Sequence, residues 1–578
     1  MKPGLRQALS AGSGRLLAWS DLLDEINVFP VADGDTGRNL VLSLSPLRDS
    51  SQAEEGLVER LLMEARGNSG NIAARFLSGL LEKANGAGLA PGVELGRERA
   101  WQAVADPKPG TMLSLFDGLA SGLESLGEME GPQVGAQDWA DELLDRLEET
   151  VASSRDLLPE LRQAGVVDAG ALGMYLFFEG FLSHWVGKGT RGRSVVGRFG
   201  DSLRLGADFH PAVDEGHCVD LVLRSAGEGS LDWSELGESV VALRQGDLLK
   251  VHLHTDDLPT LKARIADQGE LLRFSSDNLH EQTAEASHGA RRRDFHLVTD
   301  AAGSLSRLDA RRLGFSLLNS YVLLGPRAVP ETYLAAEDLY GAMAKGVPVA
   351  TSQASVFERQ QHLSKALDLY ERVLYLCVGS VYTGNHDTAL QFKQEHDPED
   401  RLVILDSQAA SGRLGLMALE LGRHIQAGES GDAVLELAKG LPARCEELIF
   451  LDQLKFLAAG GRLSKTSAFF GDLLRVKPVV SPQAEGAKKV GALRRREDQL
   501  PFALEYMRKR LPESEGARIL LQYSDNKKRV EQELAPRFAE AFAGAQITVQ
   551  PMSLTSGAHM GPGTWAVAFL PRAEGGES

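Results

Sequence analysis

Cysteine is nearly absent: Cys218, Cys377 and Cys445 are the only three in 578 residues. That is too few for a disulfide framework in a chain of this size, and it fits a reducing compartment. An excess of positive charge is also missing, since the net charge is -18. This excludes broad nucleic-acid binding, which needs clustered Lys and Arg against phosphates. It equally excludes an electrostatic hold on an anionic membrane. The basic runs Arg291-Arg292-Arg293 and Arg494-Arg495-Arg496 are short and separate, and read as local surface features. No uninterrupted apolar run is long enough to span a bilayer. The first residues, Met1 to Gln7, lead into an amphipathic segment without a signal-type apolar core. A cytoplasmic protein with no transmembrane segment and no nucleic-acid partner is expected.

What is present is the composition of a folded protein, 43% hydrophobic and 25% charged. The length exceeds what one core supports, so two to four domains are expected. The most informative stretch is Asn27-Val28-Phe29-Pro30-Val31-Ala32-Asp33-Gly34-Asp35-Thr36-Gly37-Arg38-Asn39. Proline and glycine at this density force a turn, and amphipathic sequence lies on both sides of it. Asp33-Gly34-Asp35 alone reads as an acidic, solvated helix–helix turn. The whole stretch, with Asn27 and Asn39 flanking the acids, favours a divalent metal, and its oxygen donors suit Mg²⁺.

Residues 1 to about 190 read as helical. Leu5, Leu9, Leu16, Leu17, Leu22, Leu23 and Ile26 mark an apolar face before the turn, and a long amphipathic segment covers Trp139 to Leu161. Alternating β-branched residues are scarce, so an all-α bundle is predicted. Three further loops precede helices: Arg66 to Asn71, Lys108 to Leu113, and Gly165 to Gly173. An N-capping loop explains each one alone. Four such helix entrances in one bundle point to a polyphosphate site at one end of it, where free N–H groups and helix dipoles meet phosphate oxygens.

This block resembles the nucleotide-binding subunit of dihydroxyacetone kinases (DhaL), and more closely the kinase domain of bacterial fatty acid kinases. The resemblance rests on residues 27–39, Arg-Gly-Asn-Ser-Gly (66–70), Gly-Thr-Met-Leu (110–113) and Gly-Val-Val-Asp-Ala-Gly (165–170). It implies an antiparallel helical barrel that binds Mg·ATP at one end. Carried over, Asp33 and Asp35 hold Mg²⁺, and Thr36, Asn39, Asn68, Ser69 and Gly70 meet the phosphates. Thr111 and Met112 lie near the nucleotide, and Asp168 closes the site. The dihydroxyacetone kinase family has a third metal-binding Asp five residues before its pair. Val28 stands there, which makes Asn27 the candidate third Mg²⁺ ligand. Arg38 replaces a usual small polar residue and adds a charge near the phosphates.

Between about 195 and 287 the pattern becomes strand-like. Gly216 to Leu223 and Leu248 to His254 read as strands. Residues two apart share a strand face. His252 and His254 therefore point one way together with Lys250, and Cys218 shares a face with Asp220. Were the two strands adjacent, one thiol and two imidazoles would converge as a Zn²⁺ set with an open fourth position. A 34-residue gap alone does not decide between that and a polar strand face with a half-buried thiol. The segment, with the later Gly269 to Gln282 stretch, resembles the central domain of fatty acid kinases, a small α+β domain. The resemblance implies Cys218, His252 and His254 as Zn²⁺ ligands.

His288 to Arg293 reads as a linker. Beyond it, strands Phe295 to Asp300, Val373 to Val378 and Arg401 to Ser407 each lead into a helix, and Arg518 to Ser524 begins another such unit. This predicts α/β architecture with a parallel sheet and ligand groups at strand C-termini. Polar turns gather there, at residues 351–355, 379–385, 460–464 and 559–563. Hydroxyls, an Arg and a His together suit a carboxylate or phosphate, although each turn separately has a plain capping explanation. Leu454, Phe456, Leu457, Phe469, Phe470, Leu473 and Leu474 near Arg462 read as core or as the wall of an alkyl tunnel.

The block resembles the DegV family of fatty-acid-binding proteins. The matching motifs are Val-Thr-Asp-Ala-Ala-Gly-Ser-Leu (298–305), Thr-Ser-Gln-Ala-Ser (351–355), Leu-Asp-Ser-Gln (405–408), Phe-Leu-Ala-Ala-Gly-Gly-Arg-Leu-Ser (456–464) and His-Met-Gly-Pro-Gly (559–563). It implies two α/β lobes enclosing a fatty acid, with Thr351, Ser352, Ser380, Thr383, Arg462 and His559 at its carboxylate. Ala354 stands where proline is usual, and Asn385 and His386 alter the loop beside the head group.

The resulting expectation is a three-domain chain: a kinase domain over 1–190, a central domain over 195–287 and a DegV-like domain over 294–575. It would phosphorylate a fatty acid with ATP to give acyl phosphate. Asp33, Asp35 and Arg462 would be the catalytic residues, and an acyltransferase of phospholipid synthesis would receive the product. Carrier and kinase sites must meet within one chain or across a homodimer. Two other readings stay open: a kinase for a small polyol or ketone with a lipid-sensing DegV block, and a non-enzymatic lipid-binding regulator. The intact Asp33, Asp35, Asn39 and Ser69 set argues against the last.

Overall fold

The computed structural model describes residues 3–48, 56–84, 88–127, 133–187, 192–206, 209, 216–224, 231–278, 294–325, 327–453, 455–456, 476–511 and 513–572. The chain divides into two compact units, Met1–His288 and Gly289–Ser578.

The first unit begins with helices α1 (Pro3–Glu25), α2 (Thr36–Leu44), α3 (Leu57–Glu64), α4 (Gly67–Ala84) and α5 (Leu89–Ala103). It continues through α6 (Met112–Leu126), α7 (Ala136–Leu157), α8 (Pro159–Ala164), α9 (Ala169–Trp185) and α10 (Val195–Phe199). The region is helical, as its periodicity predicts. Helix α9 is buried from Ala169 to Leu182 and packs against α1. A helix apolar on every side belongs at the centre of a bundle. Its one buried acid, Glu179, is matched by Arg15 of α1 at 2.6 Å. The amphipathic segment expected as one piece over Trp139 to Leu161 is two helices. Pro159 drives Leu158 into the extended region (φ -106°, ψ 134°), which ends α7 and starts α8.

The same unit then forms an antiparallel sheet in the order β2-β3-β1-β4. Its strands are β1 (His217–Arg224), β2 (Glu238–Gln245), β3 (Leu248–Thr255) and β4 (Glu270–Asn278). Alternation sorts the two faces. Val219, Leu221, Leu223, Val251 and Leu253 pack with Trp233 and with Leu261 and Ile265 of α11 (Leu258–Ala266). The opposite face carries Cys218, Asp220, Lys250, His252 and His254, and it meets the helical region. Lys250 Nζ donates to Ala65 O, and Arg273 Nη1 donates to Met63 O at 3.1 Å.

The second unit contains a parallel sheet in the order β11-β10-β5-β6. Its strands are β5 (Phe295–Asp300), β6 (Ser316–Leu318), β10 (Arg372–Cys377) and β11 (Leu402–Asp406). A small antiparallel sheet joins β7 (Tyr321–Leu324) to β8 (Arg327–Pro330) and to β9 (Val349–Ser352). A six-stranded sheet runs β14-β13-β12-β17-β15-β16. Its strands are β12 (Glu446–Phe450), β13 (Lys477–Gln483), β14 (Gly486–Leu493), β15 (Arg518–Tyr523), β16 (Gln546–Pro551) and β17 (Trp565–Leu570). The expected parallel pairing therefore holds for the first sheet. The six-stranded sheet is mixed: β15 and β16 are parallel, while β17 returns antiparallel between β12 and β15. A hydrophobic core containing Leu414, Leu416 and Leu421 of helix 411–426 joins residues of the parallel sheet to Leu520 and Ala568 of the mixed one. Phe450 and Trp565 stack at 4.2 Å in the core on the other side.

The linker His288 to Arg293 lies outside the described residues, as do Arg462 and most of the apolar stretch around it. Arg494, Arg495 and Arg496 are exposed.

Candidate nucleotide and metal site

The turn between α1 and α2 is built around Asn27. Its Nδ2 donates to Asp33 Oδ1 at 2.6 Å and to Val31 O at 3.3 Å. Its Oδ1 accepts from Thr36 Oγ1 at 2.9 Å. In this arrangement Asn27 straps Asp33 to the first residue of α2. Gly37 lies so close to α1 that a Cβ there would overlap the Ser20 carbonyl, which fixes the turn against the bundle. Asp24 is also buried, and its Oδ1 accepts from Arg38 N at 3.0 Å. Arg38 does not line the cavity described below.

Burial, and then the charge of Asp35, pushes the Asp33 carboxyl well above its ordinary range. Burial raises Asp35 as well, against hydrogen bonds from Asp33 and Asn39. Two buried carboxyls raised in this way would ionise readily beside a cation. Their oxygen donors fit a hard divalent ion such as Mg²⁺.

Three helix N-termini surround the pair. Helix α4 starts at Gly67 with φ +59°, and a Cβ there would overlap the Asn39 amide. Asn68, Ser69 and Gly70 form its first turn. Thr111 caps α6, accepting from Leu113 N at 3.3 Å. Asp168 caps α9, accepting from Ala171 N at 2.6 Å. Burial pushes Asp168 up to about 7, opposed by the Ala171, Gly170 and Met112 N–H groups.

These ends open into one cavity of about 1040 Å³. Asn27, Asp33, Asp35, Thr36, Asn68, Ser69, Thr111, Met112 and Asp168 all line it, as do Cys218, His252 and His254 from the sheet. Asn39 and Gly70 stand behind the lining, packed against Gly67 and Ser43 respectively. Further wall comes from Val104 to Asp106 and Lys108, from Ser234 to Val240 and from Thr255 to Asp257. Sequence reasoning missed that wall apart from Lys108, because no motif marks it.

The antiparallel pairing of β1 with β3 sets Cys218 opposite His254 and Asp220 opposite His252. This brings the thiol and the two imidazoles together, with ligand atoms within 4.8 Å of one another. All three residues are buried. Among the described residues, His252 Nδ1 and Nε2 and His254 Nδ1 have no hydrogen-bond partner. Burial, followed by the neighbouring His252, lowers His254 to about 3, so its ring is neutral and able to ligate. Burial and the charges of Asp35, Asp220 and Asp33 push the Cys218 thiol up. A cation would reverse that. The one-sulfur, two-nitrogen set and its orphaned nitrogens fit Zn²⁺.

In the second unit, Thr351 at the end of β9 and His559 in helix 554–560 meet at 2.9 Å, Oγ1 to Nε2. Ser352 beside Thr351 is exposed. Ser380 is held elsewhere: its Oγ donates to Asp406 Oδ2 at 2.6 Å. Thr383 Oγ1 accepts from Asn385 N at 3.2 Å. Asn385 turns inward, donating to Asp300 Oδ1 at 2.8 Å and accepting from Arg359 Nη1 at 3.0 Å. Burial raises Asp300 to about 6, against donors from Val378 N, Tyr375 and Asn385. Asn385 thus belongs to a buried polar network at the C-terminal end of β5.

Three family models match successive segments of the chain. They are a DAK2 domain over 30–183, the FakA-like middle domain of fatty acid kinases over 216–286, and the DegV family over 294–572. The chain therefore joins a kinase-type DAK2 region and a FakA-like middle domain to a DegV-family domain in one polypeptide. Among curated relatives, protein YloV of Bacillus subtilis is 29% identical over 308 residues, covering 48% of this chain and 55% of its own. A protein of Staphylococcus haemolyticus is 27% identical over 304 residues, covering 47% and 54%. The chain spans about half the length of the curated relatives it matches. Among solved structures, a fatty-acid-binding DegV family protein from Thermus thermophilus is 25% identical, covering 48% of this chain and 99% of its own at a TM-score of 0.45. The fatty acid kinase B3 protein of Streptococcus pneumoniae, solved with linoleic acid, is 18% identical with a TM-score of 0.42, and covers 48% and 99%. Among the described residues, no helix is long and apolar enough to cross a membrane.

Proposed function

We propose that this chain is an ATP-dependent fatty acid kinase, which transfers the γ-phosphoryl group of ATP to a fatty acid carboxylate and releases acyl phosphate and ADP. One observation carries the reading. Eight carboxylates line the cavity of the first unit against one ammonium, Lys108, among the described lining residues. A polyphosphate enters such a cavity only together with divalent cations. Asp33 and Asp35 would hold Mg²⁺, which supplies neutralisation of the phosphate charge when bound. Thr36, Asn68 and Ser69 stand at helix starts, where hydroxyl, amide and free N–H donors meet phosphate oxygens. Thr111, Met112 and Asp168 form the far wall, against the rest of the nucleotide. Cys218, His252 and His254 would hold Zn²⁺.

The fatty acid as acceptor is supported by the match of residues 216–286 to the FakA-like middle domain of fatty acid kinases, and by the pairing of Thr351 with His559. A carboxylate is ionised at neutral pH and needs no general base, so the protein's contribution is positioning and charge neutralisation. We assign ATP handling to residues 1–190, the zinc site to 195–287 and the acyl carrier to 294–575. A cytoplasmic setting and an acyltransferase as receiver of the product belong to the same reading.

The test is incubation of the full chain with γ-labelled ATP, Mg²⁺ and oleate, with the product trapped by hydroxylamine. Acyl hydroxamate is expected from the wild type, and Asp35→Ala should lower its rate by about 10²- to 10³-fold or more. ATP turnover without hydroxamate would overturn the fatty acid as acceptor. An Asp35→Ala rate equal to wild type would overturn the metal assignment.

A further inference from the structure

Asp220 is absorbed by none of the roles above, yet it touches both the sheet and the start of α4. It shares a strand face with Cys218 and lies opposite His252 in the β1–β3 pairing. Its carboxylate faces three nitrogens from both parts of the unit, two of which donate to it. Oδ1 is 3.4 Å from His252 Nδ1 and accepts from Asn71 Nδ2 at 3.2 Å. Oδ2 accepts from Gly67 N at 3.1 Å. The Asn71 amide also donates to Gly67 O at 2.7 Å, closing a small ring of hydrogen bonds at the start of α4. The neighbouring strands grip the same segment through Ala65 and Met63.

We propose that Asp220 is a positioning residue which ties the Cys218/His252/His254 site to the phosphate-binding turn of α4, so that zinc occupancy of the first sets nucleotide affinity at the second. The inference rests on the two-site reading above. Neither ring nitrogen of His252 has a hydrogen-bond partner among the described residues, but with Oδ1 3.4 Å from Nδ1 the Asp220 carboxylate is placed to hold that nitrogen's proton and leave Nε2 for a metal. His252, holding a metal through Nε2, would donate more strongly from Nδ1–H toward Asp220, now 3.4 Å away. The same carboxylate holds Gly67 N and Asn71, and therefore the placement of Asn68 and Ser69. Gly67 has no lateral room, since Asn39 fills the space beside it. A shift at Asp220 is thus passed on to the turn rather than absorbed. An amide at position 220 cannot serve this purpose, because its NH₂ must face at least one of the three nitrogens.

The experiment is calorimetric titration of Mg·ADP into the full chain, with zinc bound and after removal by a zinc-selective chelator, at saturating Mg²⁺. Zinc removal is expected to weaken ADP binding by about 5- to 150-fold, and ADP should tighten zinc by the same factor, because coupling is reciprocal. Asp220→Asn should weaken zinc by about 10- to 100-fold, read by chelator competition. It should also reduce the zinc effect on ADP to less than about twofold. Asn71→Ala cuts the same ring from the helix side and should reduce the coupling even if Asp220→Asn does not fold. Cobalt substitution reports whether the metal sits on the Cys218 thiolate, through its sulfur-to-metal absorption band. A wild type that shows this band but has one ADP affinity with and without metal overturns the coupling and leaves the kinase reading standing. A wild type that binds neither zinc nor cobalt overturns both the site and the coupling. An Asp220→Asn chain with undiminished coupling overturns the role of Asp220.

Discussion

At the scale of single residues, hydrogen-bond geometry separates side chains that a motif treats alike. Thr351, Ser380, Thr383 and His559 enter the reading as one hydroxyl-and-imidazole set. In the structure Thr351 and His559 are in contact at 2.9 Å, whereas Ser380 is engaged by Asp406 and Thr383 by the backbone of Asn385. The first two are therefore the better probes of a fatty acid head group. Thr351→Val keeps the shape and removes the hydroxyl. It should weaken binding of a fluorescent fatty acid by roughly tenfold, the worth of about one hydrogen bond to a charged group, and leave Mg·ADP affinity unchanged. Unchanged fatty acid affinity would remove Thr351 from the head-group site. Asn27 teaches the same lesson in the first unit. Its place in the turn is legible from sequence, but its strap between Asp33 and Thr36 needs the folded turn to be seen.

At the scale of elements, much was legible because local signals suffice. Glycine-rich turns ahead of apolar periodic runs mark the starts of α2, α4, α6 and α9. Period-2 alternation marks β1 and β3, and it correctly places Cys218 with Asp220 and Lys250 with both histidines. What could not be read is pairing, since the adjacency of β1 and β3, which brings Cys218 to histidines 34 and 36 residues further on, is a tertiary fact. The mixed order of the six-stranded sheet escaped for the same reason. Buried contacts between elements were also invisible. Glu447 of β12 accepts from Gly412 N and Arg413 N at the start of helix 411–426, each at 3.0 Å, and from Gln522 of β15 at 2.8 Å. Burial outweighs these donors and raises its carboxyl from 4.5 to about 7. A carboxyl that binds its proton more tightly when folded contributes stability that is complete below the unfolded value and is lost as pH rises through the folded one. Between pH 4.5 and about 7, this group makes the second unit less stable as pH increases. Glu447→Gln costs an acceptor at every pH but removes the titration. Its thermal midpoint should therefore gain on wild type steadily over that window, as followed by calorimetry of the full chain. A constant difference between the two would show that Glu447 does not titrate there.

For the whole molecule, the division at His288/Gly289 places the nucleotide cavity in one compact unit and the Thr351–His559 pair in the other. The proposed reaction needs groups from both, so its rate depends on how often the two sites meet. Covalent linkage replaces a bimolecular encounter by an effective concentration, in the millimolar range for short flexible linkers. This gives the arrangement a measurable signature. Residues 1–288 and 289–578, produced as separate chains, should each keep one partial function: the first binds Mg·ADP and the second binds fatty acid. Mixed at about 1 μM, they should form acyl hydroxamate roughly 10²- to 10³-fold more slowly than the intact chain, and the rate should climb in proportion to concentration. The intact chain's specific rate should stay flat over the same range if the sites meet within one polypeptide, and should rise with concentration if they meet across two copies. Separate halves that match the intact chain at about 1 μM would mean that linkage does not limit the reaction. Halves that each bind their ligand yet yield no product at any concentration would mean that the carrier unit is not the donor of the phosphorylated acid. The second unit would then be left with a binding function alone.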